Sequence, residues 1–194
     1  MDKQDRRKSD KMERVEKIER LERKLVHEGV VINIYEDKVQ IPNGNVATWD
    51  FIGHKGAAAV VPVCEDGRIL MVHQYRNALD RETIEVPAGG RDSKEEPYLT
   101  CAYRELEEET GYRAEKEDFE FLISLKTTVA FCDEQIEVYV ARNLKKTHQN
   151  LDEDEFIHVR AYELDELLRM IFEGKMQDGK TVAAILAYKA KYTK

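Results

Sequence analysis

The polar and apolar positions of the chain change period several times. Met12, Val15, Ile18, Leu21 and Leu25 recur every three or four residues in a charged stretch, which predicts an amphipathic helix. "VVINIYEDKVQIPNGNVATWDFI" predicts strands around a Pro-Asn-Gly turn. From Gly56 the texture changes. "AAAVVPV" is the continuous apolar run of a strand buried on both faces. "CEDGR" supplies an Asp-Gly turn, and "ILMVHQYR" predicts the returning strand. "ETIEVPAGG" reads as a short strand stopped by Pro87 and two glycines. A helix is predicted from about Lys94 to Thr110, with Gly111 as its C-terminal stop. "FEFLISLKTT", "QIEVYVA" and "FIHVRAY" are further strands, and "ELDELLRMIFEG" and "GKTVAAILAYKAKY" are amphipathic helices. This order implies an α/β fold, a mixed sheet with helices on both faces. Residues 1–55 form a small N-terminal helix and β region, and residues 56–194 the main domain.

Composition narrows the function. At 194 residues the chain has room for one good core and a small appendage. Hydrophobic residues at 42% and charged residues at 36% mark a globular chain. The net charge of −8 argues against nucleic-acid or anionic-membrane binding, which needs a basic face. A phosphorylated small molecule stays compatible, because a bound metal reverses the local sign. No run of about 18 apolar residues is present, so no transmembrane helix is expected. The N-terminal segment lacks the apolar core of a signal peptide. Cys64, Cys101 and Cys132 form neither a disulfide framework nor a CxxC site, as expected of reduced packing residues in a cytoplasmic protein. The five histidines show no ligand spacing.

The chemistry concentrates in "RELEEETG". Glu105, Glu108 and Glu109 share one helix face at spacings of three and four, where like charges repel. Most charge runs are solvated faces. Hard oxygen ligands at this spacing also suit Mg²⁺ or Mn²⁺, and Mg²⁺ takes substrate phosphate oxygens among its ligands. Tyr103 and Leu106 point elsewhere and can anchor the helix in the core.

Here the residues resemble a known family. Gly90, five residues, Glu96, seven residues and then Arg104-Glu105-Leu106-Glu107-Glu108-Glu109-Thr110-Gly111 are similar to the Nudix box, Gx5Ex7REUxEExGU, with Tyr112 at the last bulky position. Chance would give such a match on the order of once in 100,000 chains of this composition. "QYR", "EVPAG" and "DEDEFIHV" resemble the ADP-ribose pyrophosphatase and GDP-mannose hydrolase branch.

The resemblance implies a Nudix α/β/α sandwich over about Gly56 to Tyr192, preceded by a β region exchanged within a homodimer. It implies Mg²⁺-dependent hydrolysis of a nucleoside diphosphate sugar, with Mn²⁺ able to substitute. ADP-ribose, giving AMP and ribose 5-phosphate, is the expected substrate. GDP-mannose stays open, because Val129 and Ala130 stand where that branch has Pro-Gly. Glu105 and Glu109 are the expected metal ligands, with Glu108 sharing a metal or binding it through water, and a backbone carbonyl from Ala88 or Gly89, Ala88 preferred. Arg104 is expected to pair with an acid, Glu96 foremost, and to stiffen the loop and helix. The general base is expected on the late acidic loop, as Glu153, with Glu155 as an extra metal contact and Glu134 as the rival. Arg76 suits a pyrophosphate clamp. Glu85, Glu134 and Trp49, the last reaching in from the partner subunit, complete the substrate-binding candidates. A sensing domain that does not cleave would usually lose box glutamates, and this chain keeps them all. An RNA-end hydrolase would want a basic patch.

Overall fold

The computed structural model describes residues 15–30, 32–153 and 155–193. The chain divides into two compact units, Met1–Ile52 and Gly53–Lys194.

The first unit is a three-stranded sheet of order β1-β2-β3, with β1 Glu19–Glu28, β2 Asn33–Gln40 and β3 Val46–Gly53. Gly44, at φ 86°, makes the turn between β2 and β3. The expected N-terminal helix is corrected here. Met12 lies outside the described residues, but Leu21 and Leu25 sit in β1, antiparallel to β2. Two register shifts, between Arg20 and Glu22 and between Leu25 and His27, break the alternation and hide the strand period. What fixes β1 is polar. Arg23 donates from Nε and Nη2 to the two carboxylate oxygens of Asp37, each at 2.6 Å. Its guanidinium lies 3.4 Å from the centre of the Phe51 ring.

The second unit contains β4 Ala57–Pro62, β5 Ile69–Arg76, β6 Arg81–Glu85, β7 Ala88–Gly90, α1 Tyr98–Thr110, β8 Tyr112–Arg113, β9 Phe119–Lys126, β10 Gln135–Ala141, β11 Lys145–Lys146, β12 His158–Tyr162, α2 Leu164–Phe172 and α3 Gly179–Tyr192. Its main sheet has the order β7-β4-β10-β9, with β4 and β10 parallel and the other pairs antiparallel. β4 is buried along its whole length, as its unbroken apolar sequence predicts. Ala58 and Val60 pack with Cys101, Ala102 and Leu106 of α1. Ala59 and Val61 pack in the opposite cluster with Ala184, Ile185 and Tyr188 of α3. The sheet is therefore the middle layer between two helices.

The returning strand differs from expectation. The Asp-Gly turn forms, with Gly67 at φ 86°. Beyond a single bridge, Val63 to Ile69, β5 does not pair with β4. It joins a second, antiparallel sheet of order β12-β5-β6. The helix also begins later than expected, at Tyr98, because Pro97 occupies the N-cap with extended backbone. The preceding loop is held by Arg91, which donates to the carbonyls of Lys55, Glu96 and Lys94 at 2.9, 2.9 and 2.7 Å. Gly111, at φ 67°, ends α1 as predicted. Among the described residues, no helix is long and apolar enough to cross a membrane.

Candidate active site

The glutamates of α1 are not a solvated face. Leu106, fully buried, anchors α1 on the sheet, and the adjacent turns carry Glu105 and Glu109 inward to 8% and 4% exposure. Glu108 stays half-buried. The Ala88 N–H donates to Glu109 Oε2 at 2.8 Å. Glu105 lies against Gly89, where any Cβ would overlap its carboxylate. The short β7 thus forms one wall of the site, and glycine at 89 lets the Glu105 carboxylate approach the backbone closely; a side chain there would push the carboxylate away.

Burial drives the electrostatics. It pushes the Glu105 carboxyl up to about 7, against the pull of Arg104 and with the push of Glu108 and Glu155. Glu109 rises to about 8, again through burial first, with the Ala88 N–H opposing and the charges of Glu105 and Glu155 adding. Two buried carboxylates on adjacent turns, both raised by burial and by neighbouring acids, call for a cation. Arg104 supplies part of it. Its Nη1 contacts Glu105 at 2.7 Å and Glu108 at 2.8 Å, and its Nη2 donates to the Gly90 carbonyl at 3.0 Å. The expected Glu96 partner is a looser charge contact at 3.7 Å. Glu96 itself accepts the Asp92 N–H at 2.8 Å and so fixes the loop before α1.

The donor set fits a hard divalent cation: buried carboxylates, with backbone carbonyl oxygen along the same wall. Among the described residues no three acidic, histidine or cysteine side chains close a cage. Arg104 draws Glu105 and Glu108 toward itself, and Mg²⁺ characteristically leaves positions for water and substrate.

The late acidic loop is tied to the end of α1. The Asn150 N–H donates to the Glu108 carbonyl at 3.0 Å. The Gln149 side chain donates to the carbonyls of Glu109 at 2.7 Å and Ile157 at 3.4 Å. These bonds occupy orphan carbonyls of the last helical turn and root the loop beside the glutamates. Glu155 lies close enough for its charge to act on Glu105 and Glu109. Glu153 is exposed at the turn of the same loop.

A second cluster adjoins the first. Glu85, 2% exposed, ends β6 three residues before Ala88. Arg76 donates to both its oxygens, from Nε at 2.8 Å and from Nη2 at 2.7 Å. Thr83 donates at 2.7 Å, and Lys180 forms a short ion pair with it. Burial would raise the Glu85 carboxyl, but Arg76 and Lys180 outweigh burial and hold it at about 2. The Glu109 charge is felt by Arg76, and that of Lys180 by Glu109, so the two clusters are neighbours.

The structure therefore brings Arg104, Glu105, Glu108, Glu109 and Ala88 together, with Glu155 near them and the Arg76–Glu85 pair alongside. Glu134 is elsewhere. It accepts from Thr127 at 2.6 Å and faces His54 at 3.5 Å. The register Ile136 to Ala57 sets it four strand residues, roughly 13 Å, from the level of Ala88. Trp49 belongs to the first unit, 45% exposed. Sequence reasoning missed Gly89 as the seat of Glu105, and it missed Lys180. The latter stands 95 residues from Glu85, and its one local sign is the Asp178 N-cap, which accepts from the Thr181 N–H at 3.0 Å.

A loop, an acid-rich helix and a second loop on a three-layer α/β/α core define a Nudix hydrolase site. The NUDIX domain family model matches residues 53–185, and the chain belongs to that family. It is 42% identical to a methanol dehydrogenase activator of Bacillus methanolicus, over 82% of this chain and 86% of the relative. It is 38% identical to an ADP-ribose pyrophosphatase of Bacillus subtilis, over 84% and 88% of the two chains. An ADP-ribose pyrophosphatase of Mycobacterium tuberculosis is 33% identical, over 88% and 82%. The fold matches the crystal structure of an ADP compounds hydrolase with a TM-score of 0.79 at 19% identity, covering 91% of this chain and 95% of that one.

Proposed function

We propose that this chain hydrolyses the diphosphate of ADP-ribose to AMP and ribose 5-phosphate, with Mg²⁺ as cofactor and Mn²⁺ able to replace it. The observation that carries the reading is the buried, mutually repelling pair Glu105 and Glu109 on the wall formed by β7. Two relatives that span most of the chain are named ADP-ribose pyrophosphatase.

In this reading Glu105, Glu109 and the Ala88 carbonyl hold the metal, Glu108 shares it through water, and Glu155 joins when the loop closes. The bound ion supplies charge neutralisation of the diphosphate. Arg104 fixes the orientation of Glu105 and Glu108. Arg76, clamped to Glu85, keeps its Nη1 edge for a phosphate oxygen. Glu153, on a loop rooted at the end of α1, accepts the proton of the attacking water. A carboxylate that holds a metal has its basicity committed, so the base comes from outside the helix.

The active form in this reading is a homodimer in the cytoplasm. Leu21, Leu25, Val26 and Trp49 are all about half exposed on the three-stranded sheet, and such a sheet needs its apolar residues covered. A second copy provides that cover, with Trp49 stacking on the adenine bound by its partner.

Phosphatase-coupled phosphate release from ADP-ribose, GDP-mannose, NAD⁺ and dinucleoside polyphosphates tests the reading. The highest kcat/KM is expected for ADP-ribose. A higher value for GDP-mannose would move the substrate and leave the reaction. The 42% identical relative favours a second reading, activation of a methanol dehydrogenase. Adding this protein to that enzyme tests it, with a rise in dehydrogenase rate as the supporting result.

A further inference from the structure

A separate cavity of about 300 Å³ opens beside the start of β4, between the loop that precedes α1 and the facing ends of β9 and β10. It shares no residue with the Arg76–Glu85–Lys180 cluster. Arg91, on its wall, is three residues past Ala88, roughly 10 Å along an extended chain. Lys55, Arg91, Lys94 and Lys126 line it against the single carboxylate of Asp133, a net of +3 in a chain whose total is −8. Among the described residues none of these four cations forms an ion pair. Lys55 donates to the Asp92 carbonyl at 2.9 Å and Lys126 to the Asp133 carbonyl at 3.2 Å. Arg91 is held by three carbonyls, and its guanidinium lies 4.3 Å from the centre of the Tyr98 ring. Lys94 has no partner for its ammonium, and the Tyr98 hydroxyl has none either. The nearby acids are engaged elsewhere: Asp92 and Glu96 face Arg104 at 3.7 Å each, and Glu134 faces His54 at 3.5 Å.

We infer that this cavity is an anion site that takes a phosphate group, held by Lys55, Lys94 and Lys126 with the Tyr98 hydroxyl as a further donor. The inference is independent of the hydrolase reading. Charge is the first argument. Four cations without a carboxylate partner set up a local positive potential that a dianionic group neutralises better than a single charge does. Donor supply is the second. An ammonium carries three N–H groups, and Lys55 and Lys126 each spend only one on a carbonyl, so both can reach a further oxygen. The three lysines come from separate segments, which suits an anion with several oxygens spread around one centre. Shape is the third. The volume is at the small end of ligand sites. The Tyr98 ring is already covered by Arg91, and His54 is fixed through Nδ1, which accepts the Gly56 N–H at 2.9 Å. Neither ring is left as a stacking surface for a base, so the recognised group is the phosphate itself. Gly56, at φ 92°, lets Tyr98 close over the floor, since a Cβ there would stand 2.7 Å from the hydroxyl.

Inorganic phosphate and glycerol 3-phosphate serve as probes, titrated into the isotope-labelled full chain in chelator and low salt, with backbone amide shifts read by NMR. Saturable shifts are expected at Gly56, Lys94, Tyr98 and Gln135. In Lys94→Ala/Lys126→Ala the Kd is expected to rise about 10-fold or more, the loss of two charged hydrogen bonds. Both side chains are exposed, so the fold is not at stake. Similar Kd values for the two probes would support the site with a phosphomonoester as its occupant, and markedly tighter binding of inorganic phosphate would support it with the free ion. Absence of saturable shifts would overturn the inference. So would shifts centred on Arg76 and Lys180 instead, an equal response to chloride, or an unchanged Kd in the double variant.

Discussion

Replacing Glu85 by Gln removes the one charge that Arg76 and Lys180 share. The side chain keeps its shape and leaves the part-exposed Arg76 without its carboxylate partner and the largely buried Lys180 with Asp178 alone. The carboxyl is held at about 2 in the fold against 4.5 when unperturbed. At about 1.36 kcal/mol per pH unit, and allowing for residual screening, the charged form contributes roughly 2–3 kcal/mol at neutral pH. The sign follows from the depressed pKa. The contribution is complete above 4.5 and is lost as pH falls toward 2. Urea denaturation at pH 7 is therefore expected to show Glu85→Gln less stable than the parent by roughly 2–4 kcal/mol, overlapping the roughly 3–5 kcal/mol typical of breaking a buried pair. At pH 3 the gap is expected to shrink by roughly 2 kcal/mol, because the parent has lost most of the same interaction. A gap of the same size at both pH values would show that Glu85 acts through packing alone. A gap below about 0.5 kcal/mol at pH 7 would show that Arg76 and Lys180 do not need it.

Gly89→Ala is expected to displace the Glu105 carboxylate, raising the Mg²⁺ concentration needed for half-maximal activity about 10-fold or more; an unchanged metal titration would refute that close approach. Glu153→Gln is expected to lower kcat by about 10²-fold with the Mg²⁺ requirement nearly unchanged, whereas Glu155→Gln moves the Mg²⁺ curve as well. Near-normal kcat in Glu153→Gln, together with a collapse in Glu134→Gln, would shift the base to the other loop. Light scattering is expected to give the mass of a dimer, and Leu21→Asp with Leu25→Asp to give a monomer; a monomeric parent chain would end the role of Trp49 in a partner's site.

How far the sequence carried these conclusions depended on how local each signal was. The helix from Tyr98 to Thr110 was legible because its ligand spacing, buried Leu106 and stop at Gly111 all fall within one short segment. β4 was legible because a strand between two helices must be apolar on both faces. The first strand was not. Leu21 and Leu25 stand four apart, as on a helix face, and the two register shifts in β1 remove the alternation that would have marked a strand. The start of α1 was placed too early because Lys94, Glu95 and Glu96 have helical propensity, while Arg91 and Pro97 hold that segment in a loop. The separation of β5 from the main sheet was also hidden, since a tight turn brings β5 back without obliging it to pair with β4.

The candidate site divided along the same line. The acids within the box were readable from spacing, and their burial explains why they are grouped at all. The Arg76–Glu85–Lys180 cluster joins three elements, and an ion pair between residues 95 apart leaves no local trace. Glu134 shows the converse. The resemblance made it a candidate for the base, and the sheet register sets it apart from the level of Ala88.

The central claim is a cation-dependent hydrolysis carried by the buried pair on α1. Its most direct test is product analysis by ion-exchange chromatography after incubation with ADP-ribose and Mg²⁺, for the parent chain and Glu109→Gln. The account predicts equal amounts of AMP and ribose 5-phosphate from the parent, none after chelation, and a loss of at least about 10²-fold in Glu109→Gln. Undiminished AMP release in chelator, or from Glu109→Gln, would contradict it.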